Sequence, residues 1–280
     1  MNYNAGRALR RCVASLLDEG VAEVRVVDNA STDGSIEILE AAFPGHPSLR
    51  VTRNTTNVGY SKAVNAAADR VGEGRLLVIN PDAHLCPGAL TRLETALDQA
   101  PGVALAAPLV RDAGGTPEPA AFRPFPDAWR SFVHFTGLSR LAGDGGALEG
   151  VRLSPDAWPT DNAPAEAVSG ACFLVDAATF AGLGGFDTHY PFHCEDLDLM
   201  YRLKAAGHGR VFVPGAEAVH DQGISSASRP LWVHRQKHRG MQRFYRKFQA
   251  GRHAAPVRWL VQAGIWGHWA VTAPWVWLKS

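Results

Sequence analysis

The first 110 residues alternate between two hydrophobic rhythms, and that alternation leaves few folds open. Leu9, Cys12, Val13, Leu16 and Leu17 recur at helical spacing, and a short apolar run follows at 24–27. Asp33-Gly34-Ser35 opens a second amphipathic stretch that reaches Leu39. The pattern then predicts a strand over 49–52, a helix over 61–71 and a buried strand over 76–79. A helix over 90–97 and a strand over 103–110 complete the series. Short apolar runs without a polar face need cover on both sides, and the intervening helices supply it. The expected class is α/β, with a mostly parallel central sheet flanked by helices.

Between residues 111 and 164 the pattern dissolves into Pro, Gly and Ala with isolated aromatics, among them Phe122, Phe125, Trp129, Phe135 and Trp158. That stretch is too long for a simple connection, so it is a functional insertion or partly disordered. Order returns over 168–175, followed by a helix over 195–206 and a last short strand over 211–213.

Charge divides the chain differently. From Gln222 to Ser280 there is no Asp or Glu but ten Lys or Arg, and six of the eight tryptophans lie there. The preceding part holds 18 basic and all 27 acidic residues, so an acidic body carries a basic, aromatic tail. Cys12, Cys86, Cys172 and Cys194 are scattered, which suggests neither a disulfide framework nor a zinc knuckle. The N-terminus has no apolar export signal, and a reducing, cytoplasmic compartment is expected.

Three polar spots follow expected strands, where open α/β sheets bind ligands. Asp28, in Val27-Asp28-Asn29-Ala30-Ser31-Thr32-Asp33-Gly34-Ser35, suits a base or ribose, or equally a solvated loop. Asp82, in Asn80-Pro81-Asp82, suits a hard cation that shares substrate phosphates, or a turn. Glu195, Asp196 and Asp198 stand at a helix start, where the helix dipole favours carboxylates with or without chemistry. Three acids in four residues beside Gly184-Gly185-Phe186-Asp187 are less easily assigned to capping alone.

Taken in order, Asn2-Tyr3-Asn4, the 27–35 segment, Asn57-Val58-Gly59-Tyr60 with Asn65, and Asn80-Pro81-Asp82 resemble family 2 glycosyltransferases. Ser169-Gly170-Ala171, Gly184-Gly185-Phe186-Asp187, Glu195-Asp196-Leu197-Asp198 and Val219-His220 continue the likeness, which is nearest to bacterial rhamnosyltransferase-like members. It spans roughly residues 2–222.

The resemblance implies a GT-A fold, with a nucleotide-binding half over 1–110 and an acceptor-binding half over 111–222. It implies an inverting enzyme that moves a sugar from a nucleotide-sugar donor to a hydroxyl of a glycan or polyprenyl-linked acceptor in cell-surface polysaccharide synthesis. Rhamnose on deoxythymidine diphosphate is the expected donor, with uridine-diphosphate sugars next. Asn4, Asp28, Asn57, Gly59, Lys62 and Asp82 fall at nucleotide-site positions. Asp82 and His220 would hold a divalent metal, Mg2+ or Mn2+, although Asn80 replaces the first acid of the family's metal motif. Asp196 matches the catalytic base, with Glu195 in support, and Gly170 and Asp198 fall on the acceptor side. The family begins with an apolar strand just before the Asn-Tyr-Asn motif. Here Met1 stands on that motif, so the first strand is expected to be missing, through a late start or a truncation, with its neighbours unpaired. The opposing reading is a GT-A-like module that binds nucleotide and has lost transfer. A dinucleotide oxidoreductase is disfavoured because no GxGxxG follows a first strand.

The tail, 223–280, is expected to be helical. Residues 229–247 carry seven basic side chains interleaved with Trp232, Phe244 and Tyr245, and the twenty residues 259–278 carry no formal charge. That length reaches across a bilayer, but Gln262, Gly264, Gly267, His268 and Pro274 dilute it. An interfacial helix is expected, on the inner face of the cell membrane, with a helix docked on the catalytic domain as the competing reading. No motif supports nucleic-acid binding, and the oligomeric state stays open.

Overall fold

A computed structural model describes the chain except at residues 70, 73, 137–149, 191, 222–228 and 279–280. Part of the featureless 111–164 stretch therefore lies outside the described residues. Helix α1 (Arg7–Asp18) buries Leu9, Cys12, Val13 and Leu16, the stripe its spacing predicts. Next come β1 (Val24–Asp28), α2 (Ser35–Ala42), β2 (Leu49–Arg53), α3 (Tyr60–Ala68) and β3 (Arg75–Ile79). Strand β4 (Ala83–Leu85), α4 (Ala89–Asp98) and β5 (Val103–Arg111) close the first half.

The second half holds β6 (Phe122–Arg123), α5 (Ala128–Thr136), β7 (Ala163–Pro164), β8 (Ala167–Val168), β9 (Cys172–Asp176) and α6 (Ala177–Gly182). Helix α7 (Glu195–Ala205), β10 (Gly209–His220), α8 (Pro230–Phe248) and α9 (Ala255–Leu278) follow.

The α/β expectation holds. Strands β1 and β2 pair in parallel. The larger sheet runs β3-β9-β5-β10-β4, with β7 also on β10. Within it β3, β5 and β10 share one direction, while β9, β4 and β7 oppose them. On the side of β1 away from β2, Asn2 adds one parallel bridge: its N–H donates to the Val27 carbonyl at 2.8 Å, and its carbonyl accepts from Asn29 at 2.9 Å.

Strand residues alternate between two cores, as a pleated sheet requires. Cys172, Leu174, Val211 and Val213 face Leu9, Val13, Leu39 and Leu93 of α1, α2 and α4. Phe173, Val175 and Phe212 face Phe180, Leu197, Leu203 and Phe244 of α6, α7 and α8. Phe244 comes from the basic tail, so α8 is built into the hydrophobic core of the sheet.

Strand β10 is expected to cover three residues and covers twelve. A register shift between Val213 and Glu217 leaves Pro214, Gly215 and Ala216 in an irregular stretch between paired positions, so the apolar run breaks where the strand does not. Its far end, Val219 and His220, pairs with His84 and Ala83 of β4.

Candidate active site

The loop after β1 is held by its own side chains. The buried Asp28 carboxylate accepts from the Asn2 amide at 2.8 Å and from the Ser31 hydroxyl at 2.5 Å. The Asn4 side-chain oxygen accepts from the Thr32 N–H at 2.8 Å, with Asn4 itself at φ 51°. Asn29, fully buried, ties this loop to the next: its amide reaches Asn57 Oδ1 and the Gly59 carbonyl, both at 3.3 Å. Asn57 in turn accepts from the Gly59 N–H at 2.9 Å, and Gly59 holds φ 92° at the entry to α3. Lys62, one turn on, is exposed. Asp28, Asn57 and Gly59 thus lie at the cross-linked ends of β1 and β2, with Asn4 tied to the first loop from the N-terminal segment and Lys62 in the first turn of α3.

The sixth, Asp82, sits at the β3–β4 corner. Pairing of β4 with the end of β10 brings His220 Nε2 within 3.2 Å of Asp82 Oδ1 and 3.3 Å of the Asn80 amide. The other ring nitrogen, Nδ1, meets Glu118 Oε1 at 2.8 Å, and Glu118 is buried. Burial works to lower the His220 pKa, but the hydrogen bonds to Asp82 and Glu118 prevail and raise it to about 9. Glu118 lies in the featureless 111–164 stretch, where nothing marked it.

These residues fit a divalent cation, though thinly. Asp82 supplies a carboxylate and His220 Nε2 a nitrogen, with Glu118 orienting the ring from behind as metal-bound histidines commonly require. Among the described residues no group of three candidate ligands gathers. Two protein donors suit an ion completed by phosphate oxygens and water.

The acids at the start of α7 occupy a strained entry. His193 and Cys194 both have positive φ, 65° and 70°, without being glycine; such residues persist where neighbours over-determine them. Asp196 Oδ2 lies 3.4 Å from Arg123 Nη2. Gly170 stands directly behind: a Cβ there would come within 2.7–2.9 Å of Asp196 side-chain atoms. Arg123 pairs with Ala167 across β6 and β8, so one short ladder delivers both Arg123 and Gly170 to this acid. Burial, then the adjacent Asp196 charge, pushes the Glu195 carboxyl up to about 8.

Asp198 needs correction as an acceptor contact. It is fully buried, and its oxygens meet Arg202 at 2.5 Å and Lys247 at 2.6 Å. Lys247 and Arg243 of α8 also hold Asp187, each at 2.8 Å. Burial works to raise the Asp187 pKa, yet those two cations keep it well below the usual carboxylate range. Both acids therefore clamp α8 to the body. Sequence spacing could not separate them from Asp196, because all precede or open the same helix.

Tyr60 joins the two acidic groups. Its hydroxyl is buried with no hydrogen-bond partner among the described residues, and burial together with the charges of Glu195, Asp196 and Asp82 pushes the phenol well up. One phenol thus feels the charges of both acidic groups.

Comparison with known proteins agrees with this geometry. The family model described as glycosyl transferase family 2 matches residues 1–146. The chain is 30% identical over 287 aligned positions to the N-acetylglucosaminyl-diphospho-decaprenol L-rhamnosyltransferase of Mycobacterium tuberculosis, covering 95% of this chain and 88% of that protein. Among solved structures, the mannosyltransferase PcManGT of Pyrobaculum calidifontis, in complex with GDP-Man and Mn2+, superposes with a TM-score of 0.57 at 17% identity, over 98% of this chain and 69% of that one. GalNAc-T7 with UDP, GalNAc and Mn2+ gives 0.56 at 16% identity, over 76% of this chain and 41% of that one. The loops at the strand ends, the paired acids and these likenesses lead to one assignment: the chain is a glycosyltransferase of family 2 with a GT-A fold.

Proposed function

We propose that this enzyme transfers L-rhamnose, with inversion, from deoxythymidine-diphosphate rhamnose to a sugar carried on a lipid diphosphate, in cell-surface polysaccharide synthesis. The observation that carries the reading is Asp196 at the start of α7, packed against Gly170 and 3.4 Å from Arg123, together with the separate Asp82–His220 pair at the β3–β4 corner. The rhamnosyltransferase relative supports the choice of sugar and acceptor. Asp196 takes the proton from the attacking acceptor hydroxyl. The new glycosidic bond forms as the bond from the anomeric carbon to the diphosphate oxygen breaks on the opposite face. The cross-linked loops around Asn29 hold the nucleoside, and Asp82 with His220 would hold the divalent cation. When bound, that ion offsets charge on the departing diphosphate.

Release of nucleoside diphosphate from a panel of nucleotide sugars tests the reading. Release is expected from the rhamnose donor with lipid acceptor and Mn2+ or Mg2+, and is lost with chelator. Apparent metal affinity rises with pH towards about 9, because the ion must displace the His220 proton. Glu118→Gln weakens it by about 10–100-fold. Tight nucleotide binding with no release from any donor would make the protein a nucleotide-binding module instead.

We also place the enzyme on the inner membrane surface. Helix α9 packs on α8 through His234–Thr272, His238–His268 and Gln242–Gln262. Its other side leaves Trp259, Leu260, Val271, Trp275, Trp277 and Leu278 between 64% and 75% exposed. Among the described residues no helix is long and apolar enough to cross a membrane. An exposed aromatic face beside a basic helix suits the headgroup boundary. Trp275→Ser with Trp277→Ser leaves the α8 contacts in place and should abolish sedimentation with anionic vesicles. Unchanged sedimentation would assign that face elsewhere.

A further inference from the structure

Among the described residues, the polar side chain that meets the Asp196 carboxylate is Arg123, with Nη2 at 3.4 Å from Oδ2. The backbone of this arginine is anchored on both sides. Before it, the Phe122 ring packs on Phe212 at 5.2 Å and on Trp158 at 6.3 Å. After it, the Phe125 N–H donates to Glu166 Oε2 at 2.8 Å, and the Phe125 ring meets Tyr201 of α7 at 5.2 Å. The ladder of β6 on β8 lies between these anchors. Arg123 and the helix that carries Asp196 are thus fixed relative to one another by contacts that involve no substrate.

The contact is half of a fork. On a planar guanidinium, Nε–H and one N–H of Nη2 run parallel along one edge, spaced to meet the two oxygens of a carboxylate. Oδ2 lies on Nη2, while the Nε–H is shut off from solvent and has no hydrogen-bond partner among the described residues. A buried donor left this way is costly, the more so on a charged group. Solvent does not reach it, so the group placed to satisfy it is the carboxylate already on that edge. The motion required is small, because the terminal torsion of an aspartate is soft. Gly170 leaves room for it: a Cβ there would lie 2.7–2.9 Å from Cβ, Cγ and Oδ2 of Asp196. The Asp196 side chain stays 17% exposed, so a hydroxyl still has access to it.

We propose that Arg123 is a positioning residue for the transfer: its Nε–Nη2 edge grips both oxygens of Asp196 and sets the angle of the carboxylate toward the attacking hydroxyl. This rests on the transfer reading given above, with Asp196 as base. Each oxygen gives one lone pair to the fork and keeps the other, so the grip fixes a direction and leaves a place for the proton.

The test measures transfer by the full chain with the donor and acceptor that wild-type protein uses, the acceptor saturating. Arg123→Ala should lower kcat by about 10²-fold and leave the KM of the nucleotide sugar unchanged. Dilute guanidinium, far below denaturing strength, should restore part of that kcat. Methylammonium at equal ionic strength should not, because it carries the charge without the planar fork. Asp196→Asn should gain nothing from either cation. Should Arg123→Ala not fold, Arg123→Lys carries the same test: the charge stays, the fork goes, and kcat should fall by about 10-fold at an unchanged donor KM. Wild-type kcat in either variant overturns the proposal, and so does equal rescue by the two cations, which would leave charge alone in play. A loss of kcat in Arg123→Ala that guanidinium leaves untouched overturns it as well and gives Arg123 a structural role. Wild-type protein that transfers from no donor, under any metal, counts against the transfer reading itself.

Discussion

Asp196→Asn lowers kcat by about 10²–10⁴-fold, the usual contribution of a positioned general base, and leaves the KM of the nucleotide sugar near its wild-type value. The substitution keeps the volume against Gly170 and a polar contact for Arg123, so what disappears is the capacity to accept a proton. Glu195 is a poor substitute at neutral pH, because burial and then its neighbour's charge raise it to about 8, which keeps it protonated. The direction sets a pH dependence: above about 8 Glu195 ionises and places a second negative charge beside Asp196. Wild-type activity should decline on that alkaline side, and Glu195→Gln should remove the decline. Single-turnover rates with saturating acceptor decide the matter. An Asp196→Asn enzyme that keeps most of its rate would mean that another group takes the proton.

Asp198→Asn is the substitution with the largest expected cost in stability, about 3–5 kcal/mol. The carboxylate is fully buried and satisfies both Arg202 and Lys247. Removing its charge leaves the Arg202 guanidinium, whose side chain is 17% exposed, without its ion pair in a poorly solvated place. Lys247 is 32% exposed, and Lys247→Met leaves Asp198 its Arg202 and Asp187 its Arg243, so it costs much less. Thermal unfolding reads the difference, at roughly 2–4 °C per kcal/mol for a chain approaching this size. If Asp198→Asn unfolds like the wild type while the acceptor KM rises, the residue belongs to the acceptor after all.

The two substitutions lie two positions apart on one helix and act through different properties, which shows where sequence reading stops. Motif order located Glu195, Asp196 and Asp198 together, and helix periodicity placed them in a first turn. On a helix, successive positions point in different directions, so two residues apart is far from one face. Which acid meets solvent and which meets the core depends on the elements packed around them. Here those elements are β8 with Gly170 on one side and α8 with Lys247 on the other, from opposite ends of the second half of the chain.

The same division runs through the rest of the molecule. Alternating apolar runs and helical stripes determine the α/β class, because burying such faces leaves few arrangements, and the polar loops proposed to hold the nucleotide are legible since small polar residues follow buried strands. Glu118 behind His220, Arg123 beside Asp196 and the clamp of α8 on Asp187 and Asp198 are visible only in three dimensions. Each pairs residues at least 49 positions apart. Local patterns record which face of an element is apolar. The partner that a buried charge finds is decided by folding, through the cost of leaving that charge unpaired.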